Sequence, residues 1–180
     1  MRRQAIKNLA VLGAAGLLAG CGFKLRGAAS LPFASAYVDA AAAVLTTSGT
    51  ATSLTSQRIA SQLAPLLRTA LQVNQKLAAS KESAAIVISL TSEAREKTIL
   101  TLSGTGKVRE YRLTHRVRIS AMDKNGQEVL APSLLQLNRD FSYSDEQIMA
   151  KEAEEALLQK EMEQDLLRQI LRRLGYVQGA

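Results

Sequence analysis

The sequence is poor in the residues that carry covalent and catalytic chemistry. Its 180 residues include one cysteine, one histidine, three prolines and no tryptophan, and aromatic residues make up only 4%. A single cysteine excludes an internal disulfide bond. The length suits one domain of modest size with a limited hydrophobic core.

This chain offers few candidate residues for catalysis or metal binding. The only histidine, His115, lies among the apolar positions of a predicted strand, and no nucleophile or orienting carboxylate stands near it in the sequence. We therefore predict a packed, hydrogen-bonded core histidine. Glu152, Glu154 and Glu155 alternate with lysines and are typical of a solvated helix face, so we expect no metal site and no cofactor. A lipid-anchored hydrolase remains only a remote alternative.

Long apolar runs are also absent. The most apolar segment, LAVLGAAGLL at residues 9–18, has ten residues, whereas a membrane-spanning helix needs about 20. It follows the cations Arg2, Arg3 and Lys7, and this combination is typical of a signal peptide. We therefore expect an exported chain whose first 20 residues are removed.

The lone cysteine stands directly after this apolar segment. The sequence Leu18-Ala19-Gly20-Cys21 resembles the lipobox of bacterial lipoprotein precursors, in which the cysteine is acylated and becomes the first residue of the mature chain. The alternative is a free cysteine beside an ordinary signal-peptide cleavage site. The resemblance implies a signal peptide at 1–20, a lipidated tether at 21–34 and one domain at 35–180. Lipoproteins that are retained in the inner membrane usually have aspartate after the cysteine, and this chain has Gly22. By resemblance to that sorting rule, we expect the anchor at the periplasmic face of the outer membrane.

The net charge indicates a mild preference for acidic partners. Removal of Arg2, Arg3 and Lys7 with the signal peptide would lower the formal charge from +7 to +4. An excess of this size favours acidic or phosphorylated partners weakly, and it gives no indication of nucleic acid binding.

Hydrophobic periodicity predicts two helices and four strands. Apolar residues recur at helical spacing from Ser56 to Leu71, where Pro65 either kinks the helix or begins a second one; we favour the kink. A second, long helix follows Ser144 and Gln147, which form a possible capping box, and its apolar stripe runs from Met149 to Leu174. The predicted strands lie at 35–45, at 84–103 with an interruption, at 108–122 and at 129–143, with a polar connection at 46–56.

The order of these elements, β-α-β-β-β-α, predicts an α+β fold. We expect a two-layer sandwich, in which a four-stranded, mostly antiparallel sheet carries both helices on one face. Pro132 within the last predicted strand indicates an edge position or a bulge.

The strand at 108–122 has the clearest alternation in the chain. Leu113, His115 and Val117 share the predicted core face, and Arg112, Arg116 and Arg118 lie on the other face. Arginines are not buried without partners, so this face is solvated, binds phosphate or docks against a polar surface. We regard the three arginines as a candidate polar docking face.

Three parts of the sequence resemble the LptE family of lipopolysaccharide-assembly lipoproteins of Gram-negative bacteria. They are the lipobox with CGFKLRG and LPF, the hairpin strand SGTGKVREYRL, and the last helix, IMAKEAEEALLQKEMEQDLLRQILRRL. The resemblance implies a non-enzymatic protein that plugs and helps assemble the outer-membrane β-barrel LptD and binds lipopolysaccharide. It also implies Lys107, Arg109 and Lys151 as candidate lipopolysaccharide contacts, although the hairpin tip itself is uncharged. The alternative is a free-standing periplasmic lipoprotein that binds a lipid or a cell-wall fragment.

Overall fold

A computed structural model describes residues 31–41, 43–48 and 54–177 of the chain. Cys21, the predicted signal peptide and residues 21–30 of the predicted tether lie outside this part. The strands are β1 (Ala36–Ala40), β2 (Ala43–Ser48), β3 (Leu54–Ile59), β4 (Ile86–Leu102), β5 (Val108–Asp123) and β6 (Glu128–Ser142), and the helices are α1 (Leu63–Val73) and α2 (Ile148–Leu174).

The predicted α+β fold is confirmed. Within the described residues, β1, β4, β5 and β6 form a four-stranded core, in which β1 pairs parallel with β4 and the other pairs are antiparallel. Both helices pack on the same face of this sheet, and the order of the core elements is β-α-β-β-β-α. Strand β6 lies at one edge, and its pairing with β5 is irregular around Pro132, as the proline predicts.

Residues 46–48 and 54–56, predicted as parts of a polar connection, belong to strands instead. Strands β2 and β3 pair as an antiparallel hairpin, and β2 adds to the sheet by parallel pairing with Ala94–Lys97 of β4, next to the stretch of β4 that pairs with β1. Threonine and serine give this segment a weak strand signal, and its pairing partner lies some 50 residues away in the sequence. Across its described strands the sheet therefore has six members, the four of the predicted core and the two of this unpredicted addition.

Helix α1 begins later than its periodicity predicts, and Pro65 does not kink it. Ile59 belongs to β3, and the helix starts at Leu63. Pro65 is thus the third residue of the helix. The first backbone N–H groups of a helix have no intrahelical acceptor, so the N–H that proline lacks costs no hydrogen bond here. Both predicted roles of Pro65, kink and first residue of a second helix, are wrong.

The long helix α2 is buried over only part of its predicted apolar stripe. Met162, Leu166, Ile170 and Leu174 are buried, whereas Met149 is 83% exposed. Ser144 caps a 3₁₀ turn at Asp145–Gln147, which precedes the helix. Gly175 stands at its C-terminal end, as predicted.

The main core lies between the helices and the first half of β4. It combines Ile86 and Ile88 of the sheet with side chains of both helices, and it also includes Leu31 and Phe33, from the segment assigned to the tether. A smaller cluster of Leu113, Phe141 and Met162 lies towards the far end of the sheet. In the described part of the chain, neither helix is long and apolar enough to cross a membrane.

The two halves of α2 should respond differently to the same substitution. Leu166 has no exposed surface, so Leu166→Ala is expected to lower the free energy of unfolding by about 2–5 kcal/mol, through lost burial and the cavity that remains. The matched control is Leu157→Ala on the same helix, where the side chain is 57% exposed and a change within about 0.5 kcal/mol is expected. Urea denaturation measures both, and equal losses would contradict this packing.

Candidate functional site

The only histidine is a packed core residue, as predicted. His115 is 2% exposed, and its Nε2 lies 3.2 Å from Oε1 of Glu93, which is 1% exposed. Glu93 follows Ser92, a residue with φ of +55°, at a bulge in β4. This bulge separates the stretch of β4 that pairs with β1 from the stretch that pairs with β2, and it directs the Glu93 carboxylate under the helices.

The Glu93 carboxylate connects the sheet to the start of α1. It accepts hydrogen bonds from Ser61 Oγ and from the backbone N–H of Gln62 (3.2 Å), and Ser61 Oγ accepts the backbone N–H of Ala64 (3.1 Å). Burial by itself raises the pKa of Glu93, but hydrogen bonds from His115 and Ser61, the charge of His115 and the Gln62 N–H outweigh it, so the pKa of Glu93 is lowered. An ionised carboxylate at this position also suits the N-terminus of a helix.

Serine, glutamate and histidine thus meet here, but not in the arrangement that nucleophilic catalysis requires. A catalytic histidine lies between the nucleophile and the carboxylate, so that it can accept the nucleophile's proton. Here the carboxylate of Glu93 lies between Ser61 and His115. The group is a structural anchor between the sheet and α1.

Two of the three candidate lipopolysaccharide contacts meet at the tip of the β4–β5 hairpin. Lys107 and Arg109 line a cleft of about 340 Å³ together with the segment that joins β6 to α2. We call this site the hairpin cleft. Lys107 is largely exposed, with its Nζ 3.4 Å from Oδ2 of Asp145, and Glu146 also lines the cleft. The site therefore combines two cations with two carboxylates.

Lys151, the third candidate, does not line the hairpin cleft. Its Nζ donates hydrogen bonds to Ser142 Oγ (3.0 Å) and to Glu154 Oε2 (2.8 Å), and its side chain is only 15% exposed. Because Ser142 precedes the cleft residue Tyr143, Lys151 lies beside the site. It is less available to a ligand than Lys107.

The three arginines of the candidate docking face lie on the outer face of β5, as the alternation predicts. Arg112 binds Asp140 on β6 through two hydrogen bonds of 2.7 and 2.8 Å, which raise the pKa of Arg112 and lower that of Asp140. Arg116 pairs with Glu96 on β4. Arg118 is exposed and forms no ion pair within the described residues. The cross-strand partners of Arg112 and Arg116 were not predicted.

The inner face of the sheet carries ionic contacts that the sequence does not indicate. Arg95 pairs with Glu163, and Lys97 pairs with Glu155, so two basic side chains of β4 bind α2. The Lys97 ammonium group also lies 4.4 Å from the centre of the Tyr111 ring. A second cleft of about 150 Å³ lies between these pairs and Met162, with His115 in its wall. In the sequence, Arg95 and Lys97 are out of phase with the alternation of Ile86 and Ile88. The one-residue bulge in β4 brings all four onto the same face.

Three solved structures similar to this chain are lipoproteins by name. The chain is 32% identical to uncharacterized lipoprotein B of Nitrosomonas europaea, with a TM-score of 0.64 over 84% of this chain and 88% of that one. Rare lipoprotein B of Shewanella oneidensis is 24% identical, with a TM-score of 0.54 over 76% and 91%. A minor lipoprotein of Acinetobacter baumannii is 18% identical, with a TM-score of 0.56 over 79% and 90%. No curated protein matches the chain.

The fold and these likenesses define a class of small α+β lipoprotein domains. The family model LptE, described as lipopolysaccharide-assembly, matches residues 46–174. The chain belongs to the LptE family, as the resemblance in its sequence indicates.

The lowered pKa of Glu93 predicts a pH-dependent contribution to stability. A depressed carboxylate pKa stabilises the fold above the unfolded-state value of about 4.3, and this contribution is lost as the pH falls through the folded-state pKa. Glu93→Gln should therefore lower the free energy of unfolding at pH 7 by roughly 1–3 kcal/mol, with a smaller difference from the unsubstituted protein at pH 3. Urea denaturation at pH 7 and pH 3 measures the difference, and Glu152→Gln, at an exposed position, is the control. A difference that stays constant with pH would contradict the anchor.

Proposed function

We propose that this chain is an outer-membrane lipoprotein that plugs and helps assemble the β-barrel of LptD, and that it takes part in delivering lipopolysaccharide to the outer leaflet. The observation that carries the proposal is the LptE family match across residues 46–174, which covers both helices and most of the sheet. The role requires binding and positioning, and it requires no catalytic step.

The outer face of the sheet supports a plug. Large outer-membrane barrels have polar interiors, so a protein inside one needs a polar surface towards the wall. The outer face presents Arg118 and the ion pairs Arg112–Asp140 and Arg116–Glu96, while the apolar side chains of β5 face the helices. Thr114 and Asn138 add a cross-strand hydrogen bond of 3.1 Å to this polar face.

Acylation of Cys21 would hold the domain at the membrane that contains the barrel. Several acyl chains anchor a protein firmly, because each buried CH₂ contributes about 0.8 kcal/mol. Confinement to the same membrane raises the effective concentration of the domain near its partner. Gly22 in place of aspartate supports the outer membrane as the destination.

Lipopolysaccharide would bind at the hairpin cleft. Its phosphate groups match the guanidinium group of Arg109 and the exposed ammonium group of Lys107. Phosphate would compete with Asp145 for Lys107, so we expect weak, salt-dependent binding. Lys151 would act at the margin of this site.

Copurification tests the plug. From detergent-solubilised outer membranes, the tagged lipoprotein should bring down a large β-barrel in a one-to-one ratio. Arg118→Glu should reduce the yield of barrel several-fold, because Arg118 is exposed on the outer face and pairs with no carboxylate among the described residues. Lys160→Glu, an equal change of charge on an exposed position of α2, should leave the yield unchanged. If no barrel copurifies with the unsubstituted protein, a free-standing periplasmic binder is the better description.

Charge reversal tests the lipopolysaccharide site. Lys107→Glu combined with Arg109→Glu should weaken lipopolysaccharide binding about tenfold or more, while circular dichroism shows an intact fold. Lys160→Glu combined with Arg118→Glu makes the same change of net charge outside the cleft and serves as the control in titrations at low salt. Unchanged binding by the cleft variant, or equal weakening by both variants, would reject the site.

A further inference from the structure

One end of the sandwich gathers the start of the described chain and several turns. Leu31 and Phe33 pack into the core here, and Lys76 Nζ donates a hydrogen bond of 2.7 Å to the Phe33 carbonyl oxygen. Ala36 bridges to Leu77, just beyond α1. Strand β4 begins and β5 ends at the same level, since Ile86 pairs with Asp123. We call this the entry end; the hairpin cleft lies at the opposite end of β4 and β5.

The entry end exposes two aliphatic side chains and one tyrosine. Val73, at the last turn of α1, is 77% exposed, and Leu77 is 36% exposed. Tyr176 is 85% exposed, although it lies between Leu174 and Val177, which are both buried. Tyrosine with its ring exposed beside aliphatic residues is suited to the level of lipid headgroups, where one end of the side chain is apolar and the other is hydrated.

Cations surround these apolar side chains. Lys81, Lys124 and Arg172 are exposed, and none of them takes part in an ion pair within the described residues. Their positions converge on the entry end, because the Lys124 N–H binds the Ala85 carbonyl and the Ala85 N–H binds Ser35 Oγ. Arg172 belongs to the last turn of α2. Carboxylates are present at this end too, since Glu82 adjoins Lys81 and Asp123 adjoins Lys124 in the sequence, but among the described residues no ion pair ties them to these cations.

The chain that leads to this end carries the proposed anchor. Nine residues separate Cys21 from Leu31, and they include the cations Lys24 and Arg26. Even fully extended, this link spans no more than about 34 Å, so an anchor at Cys21 would keep the entry end close to the membrane surface. Basic residues beside an acyl anchor strengthen attachment to an anionic leaflet.

We propose that the entry end is a membrane-contact surface that rests on an anionic phospholipid bilayer. Tyr176, Val73 and Leu77 lie at the headgroup level, and Lys81, Lys124 and Arg172 face the lipid phosphates. The contact orients the domain, with the entry end at the level of the headgroups of the leaflet that holds its anchor. The inference rests on the anchoring of Cys21 in the proposed function and adds the face by which the anchored domain meets the lipid.

Tryptophan fluorescence tests the contact, because the chain has no tryptophan of its own. Tyr176→Trp places a single reporter at the entry end, and Thr105→Trp places one at the exposed hairpin tip. The mature lipoprotein is reconstituted in vesicles of phosphatidylcholine with phosphatidylglycerol, containing lipids brominated near the headgroup. Quenching should be at least threefold stronger for Tyr176→Trp than for Thr105→Trp. Equal quenching, or none for Tyr176→Trp, would overturn the proposal.

Charge variants test the recognition of anionic lipid. In the Tyr176→Trp background, Lys124→Glu with Arg172→Glu should reduce quenching at least twofold, as should vesicles of phosphatidylcholine alone. Lys160→Glu with Arg118→Glu, the matched control, should leave quenching unchanged. Quenching that is insensitive to both the entry-end charges and phosphatidylglycerol would overturn an electrostatic contact with the bilayer.

A surrogate anchor separates this inference from the proposed function. Mass spectrometry of the mature protein reports whether Cys21 is acylated, and an unmodified mass would refute the proposed anchor. In parallel, residues 22–180 with an N-terminal polyhistidine tag are held on vesicles that contain a nickel-chelating lipid. The same order of quenching is expected there; equal quenching of the two reporters in this arrangement would overturn the membrane contact, whatever the state of Cys21.

Discussion

The packing of one face of β5 against the helices is the constraint on which the rest of the fold depends. Strand β5 lies between β4 and β6, and Leu113, Val117 and Ile119 on its inner face are buried. Because side chains alternate along a strand, a slip of one residue would turn the arginines of the outer face into the core. Uncompensated charges are too costly to bury, so the alternation fixes the register of the two neighbouring strands.

The interface between the sheet and α2 changes character along its length. Near the entry end, Leu166, Ile170 and Leu174 are fully buried against the apolar half of the sheet. Towards the hairpin end, a smaller apolar cluster around Met162 is joined by the ion pairs Arg95–Glu163 and Lys97–Glu155. The largest apolar contact of α2 therefore lies in its second half, whereas Met149 in its first turn remains exposed.

The sequence predicts the elements whose pattern is local and strong. The alternation of β5 and the period of α2 each extend over 15 residues or more, and the two glycines at hairpin turns, Gly106 and Gly126, have the positive φ that such turns require. The β2–β3 hairpin is missed because alanine, serine and threonine give no clear period. Its stability depends on pairing with β4, which composition does not reveal.

The candidate site is predicted less completely than the fold, since ion pairing depends on distant parts of the chain. The sequence places Arg112 and Arg116 on one face, but their partners, Asp140 and Glu96, lie 28 and 20 residues away. Glu93 is missed for the same reason: the Gln62 N–H that it accepts is 31 residues away, and only the bulge directs the carboxylate towards α1. Side-chain type predicts that a charge needs a partner, and only the fold determines which one.

The length of the sheet sets the distance between the two ends of the proposed plug. Strand β4 has 17 residues, and at about 3.3 Å per residue it extends for roughly 50 Å from the entry end to the hairpin cleft. A bilayer with its headgroups is about 40–45 Å thick. With the entry end on the periplasmic leaflet and the strands along the membrane normal, the hairpin cleft would lie at the height of the outer leaflet. One rigid domain would then connect the leaflet that holds its anchor with the leaflet that receives lipopolysaccharide, without any conformational change.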